Sequence, residues 1–177
     1  MNWSKEFVDL DKSIHDRTSF DCGEAELNTF IQTRAAKHME VGVSTTRLIP
    51  NIEPLANGKY PICAFYTVTL SQIEKRTLPR IKAKQLPNYP VPTFLLAQLA
   101  VHSDCMGQGL GKITLVNALE YLLGINSLIR TYAVTVDCLN EGVENFYSQY
   151  GFELLHRDNG RARMFLPMEC VAALFQS

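Results

Sequence analysis

LLAQLAVHSDCMGQGLGKITLVNALEYLL, Leu95–Leu123, is the stretch on which the fold of this chain turns. It carries three signals in a row. Leu95–Val101 is an apolar run with the length of a buried strand. A short polar turn follows and ends in Gly107-Gln108-Gly109-Leu110-Gly111-Lys112. Ile113, Val116, Leu119 and Leu123 then recur three or four apart, the period of a helix. Strand, glycine-rich turn and helix together make a phosphate holder. Glycines let the backbone approach an anion closely, and the free N–H groups of the helix's first turn point at it. The competing reading is a glycine turn that only joins a strand to a helix.

Spacing excludes two familiar phosphate devices. A P-loop, G-x-x-x-x-G-K-[ST], ending at Gly111-Lys112 would need glycine where Met106 stands and Ser or Thr where Ile113 stands. A dinucleotide turn, G-x-G-x-x-G, would need its third glycine at Lys112 or at Thr114. What fits is x-G-x-G-x-G after a strand. This resembles the pyrophosphate loop of the GNAT superfamily of acetyl-CoA-dependent N-acetyltransferases, Q/R-x-x-G-x-G/A. Met106, Gly109 and Gly111 align with it, and Gly107 and Gln108 fall between. Met106 departs from the usual Gln or Arg, a loss the family's reliance on backbone N–H groups makes tolerable.

A second segment resembles the closing motif of the same superfamily, N-x-x-x-x-x-F/L-Y-x-x-x-G-F. Here it runs from Asn140 through Phe146-Tyr147 to Gly151-Phe152. The two motifs occur in the family's order across roughly residues 95–155. More narrowly, FDCGEAELNTFI from Phe20 and LAQLAVH from Leu96 look like the acetyltransferase toxins of bacterial toxin–antitoxin modules. The resemblance implies an α+β GNAT fold: a mixed, mostly antiparallel sheet flanked by helices, with one splayed pair of parallel strands. It implies acetyl-CoA as donor, aminoacyl-tRNA as acceptor, a ribbon-helix-helix antitoxin as partner and a homodimer. It also implies the site. Met106, Gly107, Gln108, Gly109, Leu110, Gly111 and Lys112 would hold the pyrophosphate. Leu99, Ala100, Val101 and Asn140 would line the rest of the cofactor, with a backbone N–H of the Leu99–Val101 strand as oxyanion donor. Tyr147 would be the catalytic acid.

The chemistry is consistent with those roles. Acetyl transfer from a thioester needs a neutral amine, an oxyanion stabiliser and a proton for the leaving thiolate. A phenol near pKa 10 can give up that proton without prior ionisation. The structural alternative for Tyr147 is a core aromatic of an amphipathic helix; Tyr150, spaced to pack on Phe146, reads as structural. No general base stands out. His102 reads as a solvent-facing loop residue, and Glu120 and Glu144 as helix-surface carboxylates. A lysine amine near 10.4 needs a base at neutral pH, whereas an aminoacyl ester amine, less basic than a free α-amine near 7.7, does not. That favours aminoacyl-tRNA over a protein lysine. Other acceptors (a protein N-terminus, a polyamine, an antibiotic) and a non-catalytic binding module remain the competing functions.

The 177 residues suit one domain, 1–177, with 46% hydrophobic and 20% charged residues. A net charge of −1 leaves no global field for nucleic acid, so any basic surface must be local. It concentrates in Ser71–Pro92, which holds Lys75, Arg76, Arg80, Lys82 and Lys84 against the single acid Glu74. Its four prolines, at 79, 87, 90 and 92, exclude a long helix. A loop of this length is either an RNA or acidic-partner contact or a solvated mobile segment. Arg34 and Lys37, with His38, sit near the end of a helix expected over Ala25–Met39 and capped by Asp21 or Ser19; they belong to a solvated face or to a binding face.

Five cysteines without a C-x-x-C pair suit reduced thiols in the cytoplasm and no metal centre. The charged N-terminus carries no signal peptide, and no apolar run has membrane-spanning length. Strands are expected near Phe7–Leu10, Val43–Leu48, Tyr60–Leu70, Thr131–Val136, Phe152–Leu155 and Arg163–Met168, with helices over Glu141–Tyr150 and Glu169–Phe175.

Overall fold

The computed structural model describes Met1 to Gln176; Ser177, the last residue of the expected domain, lies outside the described residues. In chain order the elements are β1 (Val8–Asp9), β2 (His15–Asp16), α1 (Ala25–Thr29), α2 (Ala35–Glu40), β3 (Thr45–Pro50), β4 (Tyr60–Ile73), α3 (Arg80–Ala83), β5 (Val91–Val101), α4 (Leu110–Asn126), β6 (Ala133–Asp137), α5 (Glu141–Ser148), β7 (Glu153–Asp158), β8 (Arg161–Pro167) and α6 (Met168–Leu174). Strand order is β1-β3-β4-β5-β6-β8-β7, with β2 pairing on β4. The chain divides into two compact units: Met1–Thr69 with Ala97–Ala118, and Leu70–Leu96 with Leu119 onward. The divisions fall inside β4, β5 and α4, so three elements run from one unit into the other.

In the first unit β3 and β4 pair antiparallel from Thr45↔Val68 to Pro50↔Ile62, with a register shift at Ile49/Pro50. The central run of β4 is buried without interruption, as its β-branched and aromatic residues demand. Phe20, Phe30 and Phe65 cluster with Ile31, Leu48, Ile62 and Ala100 to form this unit's core. The helix expected over Ala25–Met39 is present, but a π turn, Phe30–Arg34, interrupts it. Glu24, not Asp21 or Ser19, stands at its N-cap position. The Asp21 carboxylate instead accepts from Gly23 N–H at 2.9 Å and Asn28 Nδ2 at 2.8 Å, which shapes the turn ahead of the helix.

In the second unit β5 and β6 are parallel, in register from Thr93↔Ala133 to Leu96↔Val136. β6 and β8 pair antiparallel, as do β7 and β8. The β7–β8 hairpin turns on Asn159-Gly160, at φ 49° and 77°, between the paired Asp158 and Arg161. Two consecutive left-handed residues match the twist of the flanking strands, and Asn-Gly is the dipeptide that most readily supplies them.

The segment Ser71–Pro92 is not a solvated mobile loop. β4 extends through Ile73, β5 begins at Val91, and Ile73, Leu78 and Val91 share a buried cluster with Ala133, Leu155 and Phe165. Between them lie only a 3-10 turn, Lys75–Thr77, and the one-turn α3, which agrees with the exclusion of a long helix. No helix among the described residues is long and apolar enough to cross a membrane.

Candidate active site

The glycine turn belongs to the first unit. β5 delivers the chain to His102, whose N–H donates to Cys63 O at 2.8 Å. His102 is buried, at 7% exposure, which corrects the expectation of a solvent-facing residue. Its Nδ1 accepts from Asp104 N–H at 3.1 Å, its Nε2 lies 3.4 Å from Ser19 O, and its ring meets Phe20 edge-on. Ser103 donates both N–H and Oγ–H to Asp21 O, each at 2.9 Å. These contacts fix the entrance to the glycine turn.

The turn itself is open. Gly107 and Gly109 stand at φ 74° and 82°, a conformation that strains any L side chain, and a Cβ built on either meets nothing within 4 Å. Leu110 is buried and anchors the start of α4. Ile113 N–H closes the first helical turn on Gly109 O at 3.2 Å, so the N–H groups of Leu110, Gly111 and Lys112 precede the first intrahelical bond. Gly111 lies within α4, in contrast to the left-handed Gly107 and Gly109. Met106, Gln108 and Lys112 are exposed, with Gln108 Nε2 donating to Asp104 O at 3.3 Å. Leu99 and Val101 are half-buried on β5, and Ala100 points into the core. Two left-handed glycines with clear space over them, then a helix start, fit the pyrophosphate of a coenzyme.

The closing motif belongs to the second unit. β6 ends at Asp137, held to Arg163 by two bonds of 2.7 and 2.8 Å. Asn140 comes next in extended conformation, and its Oδ1 accepts from Val143 N–H at 3.0 Å. Asn140, expected to line the cofactor, caps α5 with its carboxamide oxygen, the ordinary work of Asn at this position. Gly151, at φ 91°, ends the segment as its C-terminal position requires. α5 thereby carries Tyr147 into a buried site, at 5% exposure, against Phe146 and Phe152 with ring centroids 5.2 Å away in each case.

Burial pushes the Tyr147 phenol well above its ordinary pKa, and the neighbouring Cys138 thiol pushes it the same way. A phenol is protonated at neutral pH even at its ordinary pKa, and burial holds it further from ionisation. A buried thiolate is disfavoured by the same desolvation, so a proton passing from this phenol to a desolvated thiolate meets a smaller mismatch than the phenol's pKa alone indicates. The Cys138 thiol is pushed up to about 11 by burial, which makes it a poor nucleophile. Tyr150 packs on Phe146 at 5.3 Å. Glu144 is not a free surface carboxylate, because Arg157 binds it at 2.8 Å; Glu120 is exposed.

Two expected RNA-facing cations have internal partners. Lys75 Nζ donates to Leu86 O at 2.8 Å and to Asn88 Oδ1 at 2.9 Å. Lys82 Nζ lies 3.5 Å from Glu153 and 5.8 Å from the centroid of the Phe165 ring. Arg76, Arg80 and Lys84 are exposed in the second unit, and Arg34 and Lys37 are exposed in the first.

The first unit thus carries an open strand-to-helix glycine turn, and the second a buried phenol on a capped helix. Residues 80–152 match the acetyltransferase (GNAT) family. Over 173 residues it is 26% identical to the probable toxin TacT of Sinorhizobium fredii (strain NBRC 101917 / NGR234), covering 93% of this chain and 92% of that protein. A tyrosine-to-phenylalanine mutant of KacT shares the fold at a TM-score of 0.87, with 23% identity over 99% of this chain and 100% of that one. AtaT, solved in complex with acetyl-methionyl-tRNAfMet, matches at 0.86 with 25% identity over 97% of this chain and 99% of that one. AtaT has also been solved as a tyrosine-to-phenylalanine mutant with the C-terminus of the antitoxin AtaR and acetyl-CoA, at 0.80 and 21% identity over 97% and 98% of the two chains.

Proposed function

We propose that this chain is the toxin of a toxin–antitoxin module, an N-acetyltransferase that uses acetyl-CoA to acetylate the α-amine of aminoacyl-tRNA and so blocks translation. The observation that carries the reading is Tyr147: a buried, neutral phenol packed between Phe146 and Phe152, at the tyrosine position of the closing motif. The likeness to AtaT, solved with an acetylated aminoacyl-tRNA, supports the choice of acceptor.

When bound, acetyl-CoA supplies an activated acetyl thioester. The N–H groups from Gly107 to Lys112 would hold its pyrophosphate, with Met106 and Leu110 shaping the turn. A backbone N–H of the Leu99–Val101 strand would orient the acetyl carbonyl and stabilise charge on its oxygen. Tyr147 Oη keeps its proton until a thiolate leaves, then gives it up. The acceptor amine arrives neutral, because an aminoacyl ester amine is weakly basic. Arg76, Arg80 and Lys84, with Arg34 and Lys37, face the RNA backbone. Asn140 acts through α5 by fixing the approach of Tyr147.

The domain spans 1–177, with β4, β5 and α4 each running through both compact units. A ribbon-helix-helix antitoxin and a second copy of this chain are the assigned partners, and the cytoplasm, where charged tRNA is used, is the place of action. The test is a cell-free translation reaction given the protein and acetyl-CoA. Synthesis should stop, added charged tRNA should restore it, and mass spectrometry should find one acetylated aminoacyl-tRNA. Unimpeded synthesis by protein that binds acetyl-CoA would sink the reading.

A further inference from the structure

We propose that the surface around Tyr89 is a subsite for single-stranded RNA, where one unpaired base stacks on the Tyr89 ring and flanking phosphates lie against Arg76 and Arg80. The choice of RNA rests on the aminoacyl-tRNA reading above; the site itself rests on separate observations. Arg76, Arg80, Asn88 and Tyr89 border a concavity of about 540 Å3, with Leu78 and Ala83 also in its lining. In a chain of net charge −1 this is where positive charge gathers, and Glu74 is the one carboxylate on its rim.

Tyr89 is 64% exposed, although the segment that carries it is tied down. Lys75 reaches across to bind Leu86 O and Asn88 Oδ1, and Thr77 Oγ donates to Glu74 O at 2.7 Å. Pro87 and Pro90 restrict the backbone on both sides of Asn88-Tyr89. The result is a large flat ring presented on a braced turn, in the same concavity as Arg76 and Arg80. A ring held this way has little freedom left to lose on binding. Every base offers a π face, so such a platform tolerates sequence while demanding an unpaired nucleotide. The 3′ end of a tRNA, where the amino acid is attached, is unpaired. An acidic peptide would use the arginines but gains nothing from the ring.

The test uses the full chain and uncharged RNA, so it requires neither acetyl-CoA nor acetyl transfer. Fluorescence anisotropy would compare a labelled RNA hairpin bearing an ACCA overhang with the same hairpin ending blunt. The overhang should tighten binding. Tyr89→Ala should weaken the overhang hairpin by at least about fivefold and leave the blunt one unchanged. Tyr89→Phe should keep the affinity, and Tyr89→Leu, which keeps bulk without a π face, should lose it. Arg76→Ala and Arg80→Ala should each reduce the salt slope by about 0.7, the single-strand value for one phosphate contact. Equal binding of the two hairpins, full affinity in Tyr89→Leu, or equal competition by poly-glutamate at matched charge would overturn the inference. Acetylation of aminoacyl-tRNA without overhang-dependent binding would sink this subsite alone. Tyr89-dependent binding with no acetylation would sink the toxin reading and leave the subsite standing.

Discussion

Ile113 donates its backbone N–H to the carbonyl of Gly109, and Gly109 sits at φ 82°. The first closed turn of α4 thus begins on a residue whose conformation only glycine adopts freely. The N–H groups of the next three residues are left to face whatever occupies the turn.

Gly109→Val should therefore damage cofactor binding twice over. It imposes roughly 1–2 kcal/mol of left-handed strain and puts a branched side chain into the space above the turn. Affinity for acetyl-CoA, read by isothermal titration, should fall more than tenfold, and Gly107→Val should behave alike. Gly111→Ala separates the two effects: it meets helical backbone and should add up to about 1 kcal/mol of stability. Gln108→Ala and Lys112→Ala should change little. Loss of binding in Gln108→Ala with retention in Gly109→Val would refute a backbone cradle.

Tyr147→Phe keeps the buried ring between Phe146 and Phe152 and deletes only the proton donor. Transfer should slow by about 10²–10⁴, the usual worth of a general acid, while acetyl-CoA affinity and melting temperature hold. Unchanged turnover would remove Tyr147 from the chemistry.

Asn140→Ala removes the Oδ1 that caps α5 at 3.0 Å and should cost about 1 kcal/mol of stability. Asn140→Asp or Asn140→Ser should restore most of it. A variant that melts like the wild type yet loses acetyl-CoA would show direct contact with the ligand instead of capping.

Buried thiols give the fold an alkaline limit. The Cys138 thiol is pushed up to about 11 and the Cys63 thiol to about 12, mainly by burial. Between the ordinary thiol pKa and these values the folded chain holds protons that the unfolded chain has released. Their contribution to stability is complete below about pH 8.5, the free-thiol value, and is lost as pH climbs through 11 and 12. Urea midpoints at stepped pH should fall less steeply in Cys138→Ala than in the parent; parallel slopes would contradict this. At neutral pH iodoacetamide should modify half-buried Cys170 before the four buried cysteines.

The two motifs and the strands made of β-branched and aromatic residues were legible because local chemistry decides them. TYAVTV has few other ways to sit, and left-handed Gly109 announces itself by being glycine. What escaped is decided by distant neighbours. Ser71–Pro92 reads as a charged, proline-rich loop, because its few apolar residues reveal their role only against Ala133, Leu155 and Phe165. His102 is buried by Phe20 and tied to Cys63, partners 82 and 39 positions away by residue number, on which the local sequence is silent. Lys75 looks like any surface cation until Leu86 and Asn88 fold back onto it. One local signal went unread: Asn159-Gly160 marks a tight hairpin.

The π turn at Phe30–Arg34 sets the phase of the helical residues beyond it. Ala35 N–H reaches back five residues to Phe30 O, one more than an α-helix allows. Each residue added to or taken from a helix rotates its remaining turns by about 100°. Within the same turn the Gln32 carbonyl accepts from Arg17 at 3.3 Å, and its side chain donates to Phe20 O at 2.9 Å. A one-residue deletion here would restore an uninterrupted α-helix and swing Lys37 to a different side of it, while Phe30 and Ile31 stayed in the core. Indel tolerance in this short window is thus a compass for the exposed cations beyond it: the extra residue aims them.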